Sequence, residues 1–406
     1  MPRINPVLRP FFLFLFARSF STLASQMELV AVGWQVYSLT GRVLDLGLVG
    51  LFQFLPSIML VLLVGHVADR YDRRTILRIC MVIEGLAATG LALGSAGGEG
   101  LTGWIDVQAI FGLVFLVGVA RAFGQPTMQA FVSNLVPREH LPRAIALNAS
   151  VNKVCFVLGP ALGGFIYVAG PVYVYGITAV MFMLAVILTG WVHIPRIIRA
   201  VEPATLRSVF AGLAFIRSRP VMFGAISLDL FAVLLGGATA LLPAFAQDIL
   251  HTGPWGLGLL RAAPALGAFP TALWIARHPL GRRVGRTMMI SVAVFGVATI
   301  VFALSTSFVL SMLALIVLGA SDMVSVVIRS SMVQLYTPDE MRGRVSAVNS
   351  VFIGSSNELG EFESGVLAAL VGTVGAVLIG GVGTVLVVLL WARYFPELAR
   401  FDRLGK

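Results

Sequence analysis

The stretch PREHLPRAIALN at residues 137–148 returns 201 positions later as PDEMRGRVSAVN at 338–349. Pro137 aligns with Pro338, Arg143 with Arg344 and Asn148 with Asn349. The same offset aligns Glu28 with Asp229 and Gly159 with Gly360. A second echo, LGLVGLFQFLP at 46–56 against LGLLRAAPALG at 257–267, falls at corresponding places. Two copies of one unit therefore make up the chain, and the question becomes what each unit is built from.

Composition answers most of it. Of 406 residues, 58% are apolar and 12% charged, with a mean hydropathy of +0.93. Soluble domains carry about 25% charged and about 45–50% apolar residues. This excess of apolar surface disfavours a soluble enzyme, a disordered chain and a coiled coil. A bilayer core of about 30 Å takes roughly 20 apolar residues as helix. Punctuation by Gly, Pro and charge predicts twelve spans, near 10–39, 44–68, 75–97, 104–133, 142–169, 171–194, 219–249, 255–277, 285–306, 308–335, 341–370 and 372–395. The runs are continuous rather than alternating, which excludes a strand barrel. The start, MPRINPVLRPFFLFLF, has a basic end but no small-residue cleavage site, and reads as a retained first span.

The expected fold is an all-α membrane protein of 12 transmembrane helices in two six-helix bundles. Residues 1–194 and 219–406 form the bundles, and 195–218 a cytoplasmic linker with an amphipathic helix near 205–217. Parallel repeats of this kind are related by a pseudo-two-fold axis along the membrane normal, with a cavity between them.

The net charge of +10 comes from 29 basic and 19 acidic residues. Twenty-three of the 29 basic residues fall at the N-terminus, the even-numbered turns, the linker and the C-terminus, against Arg42 alone on the opposite side. Cytoplasmic loops collect Lys and Arg, so both termini are expected in the cytoplasm. The basicity maps orientation, and no nucleic-acid partner is expected. Cys80 and Cys155 lie in apolar runs and the five His lie at span ends or loops, so neither a disulfide framework nor a metal site is expected. No Walker or strand–turn–helix context accompanies the glycine-rich stretches. The chain reads as no enzyme and needs no cofactor.

At the turn between spans 2 and 3 stands GHVADRYDRR, residues 65–74. Gly65 permits close helix approach, Asp69 can accept hydrogen bonds from a neighbouring helix start, and Arg70, Arg73 and Arg74 supply charge partners at the headgroups. With twelve spans and the repeat, this resembles the major facilitator superfamily loop Gly-x-x-x-Asp-Arg-x-Gly-Arg-Arg, with Asp72 where Gly is usual. In span 5, Gly159, Pro160, Gly163 and Gly164 of GPALGG resemble that superfamily's antiporter-associated motif; plain helix packing is the other reading. ADRYDRR, the DLF at 229–231 and GPWGLGLLR at 253–261 resemble the enterobactin-exporter branch, also called transmembrane secretion effectors. That resemblance implies an inner-membrane exporter of siderophores or drugs driven by the proton gradient, a gating role for the loop, and a cavity lined by spans 1 and 7.

Charges at bilayer depth cost roughly 2.5–3.5 kcal/mol on insertion scales and usually face the bundle interior or water. Glu28 and Asp229 occupy equivalent places in spans 1 and 7. They read as a proton-coupling pair or as partners in structural ion pairs. Arg121 falls in span 4, where proton-coupled exporters of the family often carry an arginine. Asp322 and Arg329 are seven apart and share a face of span 10, each able to pair with a neighbouring helix. Glu358 and Glu361 share a face of span 11, and one or the other can pair with Arg121, Lys153 or Arg329. Glu363 points elsewhere. Glu84 reads as a structural partner for a nearby polar group, and Arg18 as a snorkelling residue near the cytoplasmic end.

The expected function is a proton-coupled secondary exporter of an amphiphilic small molecule, a monomer in the bilayer whose partners are cargo, protons and lipid. Rival readings are a facilitator or importer of the same fold, a lipid mover and a non-transporting sensor.

Overall fold

The computed structural model describes residues 8–60, 63–64, 67, 70–96, 105–132, 135–192, 206–278 and 281–403. Gly65, Asp69, His66, His193, residues 195–205 of the expected linker, Arg3 and Lys406 lie outside the described residues. Helices make up the architecture, and no strand occurs among the described residues.

Six long helices occupy the first half. They are α1 (Arg9–Thr40), α2 (Val43–Met59), α3 (Arg73–Ser95), α4 (Val107–Phe131), α5 (Leu141–Tyr167) and α6 (Pro171–Trp191). A short helix α7 (Leu206–Arg217) follows, where the amphipathic segment is expected. The second half holds α8 (Pro220–Leu235), α9 (Pro254–Arg277), α10 (Val284–Leu304), α11 (Phe308–Tyr336), α12 (Asp339–Val371), α13 (Thr373–Tyr394) and the terminal turn α14 (Pro396–Arg400). Among the described residues, nine of these segments are long and apolar enough to cross a membrane. The remaining long helices are α1, α2 and α12. α2 is described for only 17 residues. α1 and α12 are long enough, at 32 and 33 residues, but are polar. α1 carries Arg18, Gln26 and Glu28, and α12 carries Asn357, Glu358, Glu361 and Glu363. Spans that line a polar interior carry such residues at the expense of hydropathy.

Contacts group the chain into two compact units. The first comprises Met1–Gly41, Phe52–Pro203 and Thr252–Ala262, and the second Arg42–Leu51, Ala204–His251 and Ala263–Lys406. In the first unit α1 packs along α5 and α6, while α3 packs along α4 and α6. In the second, α8 packs along α12 and α13, while α10 packs along α11 and α13. Span by span, these are the same four pairings, so the repeat read from 137–148 and 338–349 is a repeat of packing. Each stretch stands at the start of its unit's fifth span. The fifth and sixth spans are separated in both units by a glycine with positive φ, 129° at Gly170 and 81° at Gly372. Such angles strain residues with a Cβ and let the chain reverse in one residue.

Span 7 covers Pro220–Ile249, as expected from 219–249. Within it α8 stops at Leu235 and the chain resumes as a 3-10 turn (Ala238–Leu241), an α turn (Leu242–Ala244) and a π turn (Phe245–Ile249). Gly236 and Gly237 weaken the helix, and Pro243 lacks a backbone N–H. Gly237 lies against the Gly360 carbonyl with no room for a Cβ, so close approach of α12 accompanies the break. α7 is held in the second unit by Ile216, buried with Met222, Ile226, Val333, Val345 and Val348.

Candidate functional site

Each unit sets a carboxylate on its first span near an arginine on its fourth. In the second unit, Asp229 of α8 meets Arg329 of α11, with Oδ2 2.9 Å from Nη1. Both residues are 4% exposed. In the first unit, Glu28 of α1 lies within electrostatic reach of Arg121 of α4 and Glu84 of α3. The ion pair of Arg121 goes to Glu84, Nε to Oε1 at 3.9 Å. Glu28 is 4% exposed, and its Oε2 is buried without a hydrogen-bond partner. The third-span acid has no counterpart in the second unit, since α10 contains no Asp or Glu. The two halves thus share a motif and differ in charge. The second has one acid on one arginine, and the first has two acids around one arginine.

Glu28 and Asp229 occupy equivalent places but differ in surroundings: Asp229 takes the structural ion pair, one of its two readings, with Arg329, whereas Glu28 Oε2 has no hydrogen-bond partner. Arg121 and Arg329 take partners from spans of their own unit, so a pairing with Glu358 or Glu361 does not describe them. Adjacent packed helices supply Glu84 and Asp229 at contact distance, and α12 is not needed. Glu361 instead lies against α2, where a Cβ on Gly50 would stand 3.0 Å from its Oε2. Asp322 and Glu358 are part-buried and engage neighbouring groups. Lys153 is exposed on α5.

The first unit also contains a cavity of about 270 Å³ among α1, α3, α4 and α5. Glu84 and Arg121 stand on its wall, as does Arg18. Arg18, read as a snorkelling residue, is part-buried, and its Nε is buried without a hydrogen-bond partner. A readable signal lay in the spacing. Arg18, Ser21, Ser25, Glu28 and Gln35 recur every three, four or seven residues, a polar stripe on one face of α1. Asp322, Ser325 and Arg329 form the shorter equivalent on α11.

Span 5 holds its glycines where backbones touch. A Cβ on Gly159 would stand 2.5 Å from Gln26 Cβ, and one on Gly163 2.8 Å from Met27 Cα. One on Gly164 would stand 2.8 Å from Gly258 Cα. The buried Pro160 carries its carbonyl to the same approach, 2.6 Å from a Cβ built on Gly258. The motif therefore packs α5 onto α1 beside Glu28, as well as onto the start of α9.

Of the loop residues, Arg70 is exposed and Arg73 part-buried. Arg74 reaches the last turn of α6, donating from Nη2 to the Gly190 carbonyl. Asp72, the departure from the superfamily pattern, is the N-cap of α3 and accepts from the Arg74 backbone N–H at 3.0 Å.

Comparison with known proteins agrees with this architecture. The enterobactin exporter EntS of Citrobacter koseri is 26% identical over 402 residues, covering 98% of this chain and 94% of that protein. The enterobactin exporter EntS of Shigella boydii has the same identity and coverage. Among solved structures, a point mutant of the nucleoside transporter NupG superposes with a TM-score of 0.73 at 14% identity, over 95% of this chain and 100% of its own. A bacterial homologue of the iron transporter ferroportin, in an inward-facing state, gives 0.71 at 17%, over 97% and 100%. These two show the fold. The family described as transmembrane secretion effectors matches residues 3–403. With its helical repeat, its basic loop and its buried acid–arginine couples, the chain belongs to the transmembrane secretion effectors of the major facilitator superfamily.

Proposed function

We propose that the protein is a proton-coupled exporter of an oxygen-rich amphiphile of the siderophore type, working by alternating access. The single observation that carries the coupling is the uneven charge around Arg121 in the first unit. Glu28 and Glu84 face one guanidinium, Arg121, deep in a membrane protein. An uncompensated charge is costly at that depth. One proton on this cluster balances it, and the Asp229–Arg329 couple needs none. Tyr175 lies near Glu28 and Cys80 near Glu84. Protonation then favours one facing of the transporter and cargo the other, which is the thermodynamic content of coupling. The moving bodies are the bundles 1–194 and 219–406, joined by the linker 195–218, with the loop around Gly65, Asp69, Arg70, Arg73 and Arg74 gating one side. Enterobactin, named in the relatives, supports the siderophore class. Their bacterial origin and the map of basic residues support the inner membrane, with both termini cytoplasmic. The protein acts as a monomer surrounded by lipid.

Reconstituted vesicles with an imposed pH gradient test the coupling. Flux of enterobactin that follows the sign of the gradient is expected, and flux indifferent to it refutes the proposal. A strain lacking the protein, challenged with siderophores, macrolides, dyes and lipids, identifies the cargo class.

A further inference from the structure

The acid cluster accounts for Arg121 but leaves a second guanidinium over. Arg18 stands on the wall of the 270 Å³ cavity, nine residues into α1, about 14 Å along the helix axis. Among the described residues it makes no ion pair, and its buried Nε has no hydrogen-bond partner. Of the other charged groups on this wall, Glu84 and Arg121 are paired with each other at 3.9 Å. The cavity is therefore net cationic at its Arg18 end. Ser21, Thr22 and Ser25 continue the wall along α1, Asn152 faces them from α5, and Phe156 supplies an aromatic surface. Thr22 is already within 3.4 Å of Asn152, so these polar groups converge on one space. An engineered cavity of about 150 Å³ in another protein holds a benzene ring. This one has room for a single ring with a polar substituent.

We propose that this cavity is a cargo subsite that binds an oxyanion group, a carboxylate or an acidic phenolate on an aromatic ring, with Arg18 as its charge partner. A guanidinium gives charge-assisted, bidentate recognition of planar oxyanions. The ring lies against Phe156 and the methionine side of the wall. Arg18 is part-buried with its Nε unpartnered, and an anion beside it would offset the cost of holding that charge away from water. The inference rests on the export reading and narrows its cargo to molecules that carry an anionic ring or carboxyl group. The anion sits at Arg18, about 15 Å along α1 from Glu28, and Glu84 and Arg121 of the acid cluster stand on the same cavity wall.

Equilibrium binding of radiolabelled benzoate to the full-length protein in nanodiscs, with no pH gradient, tests it. Saturable binding is expected, and benzamide, the uncharged counterpart, should not displace it. Arg18→Gln should weaken binding by about tenfold or more, the loss of one charge-assisted hydrogen bond, while Arg18→Lys keeps part of it. Ser21→Phe, which fills the cavity and leaves Arg18 in place, should abolish binding and decides the matter if Arg18→Gln does not fold. Absence of saturable benzoate binding, equal displacement by benzamide, or affinity unchanged in Arg18→Gln or Ser21→Phe overturns the proposal. Because no gradient is used, intact benzoate binding together with gradient-indifferent flux refutes the export reading alone.

Discussion

Arg329 Nη1 lies 2.9 Å from Asp229 Oδ2, linking the first and fourth spans of the second unit through two side chains that are each 4% exposed. Arg329 Nε has no hydrogen-bond partner, and Ser325 stands beside the Asp229 carboxylate. Removing one member leaves a buried charge uncompensated, at a cost of about 3–5 kcal/mol. Asp229→Asn should therefore lower the thermal stability of the purified protein sharply. Combining it with Arg329→Gln should recover part of the loss, because the double variant buries no charge. Strictly additive losses in thermal unfolding would show that the two side chains do not interact.

In the first unit the outcomes differ between the two acids. Glu28→Gln removes the excess carboxyl and keeps the Arg121–Glu84 pair, so the protein should fold and bind cargo while its flux loses dependence on the pH gradient. Glu84→Gln takes away the partner of Arg121 and should cost stability on the order of 1–3 kcal/mol. Vesicle flux and thermal unfolding, measured on both variants, separate the roles. Full coupling in Glu28→Gln would move the proton site elsewhere.

Steric predictions follow from the glycines. A Cβ on Gly163 would stand 2.8 Å from Met27 Cα, and backbone cannot yield as a side chain does. Gly163→Ala should destabilise by about 1–3 kcal/mol through overpacking. Gly112, inside α4, has nothing within 4 Å of such a Cβ. Gly112→Ala should stabilise by up to about 1 kcal/mol through helix propensity. Thermal unfolding of the pair in one detergent checks both signs.

The loop gives a cap prediction. Asp72→Ala removes the acceptor for the Arg74 N–H and should cost about 1 kcal/mol, whereas Asp72→Asn should keep most of it. Asp69→Asn, at the acid of the superfamily pattern, should lower turnover more than expression. Normal flux from a well-expressed Asp69→Asn protein would remove Asp69 from the gating role.

The sequence by itself determined the class, the spans and the repeat. Apolar runs of bilayer length leave helices as the only economical way to satisfy the backbone, and the offset between Pro137 and Pro338 marked two copies. The stripe from Arg18 to Gln35 was also legible, because a helix sets residues three, four and seven apart on one face. What only the tertiary structure decided is which charges meet. Glu28 and Asp229 look alike in sequence, yet one shares an arginine with Glu84 and the other has an arginine to itself. Periodicity fixes the face of one helix and says nothing of which residue on the next helix stands opposite. Ion pairing depends on ångström-scale distances between spans, set by glycine contacts such as Gly163 on Met27 and by the break in span 7 at Gly236 and Gly237. Only the packing of α1 against α3, α4 and α5 shows that Arg18 stands on a cavity wall.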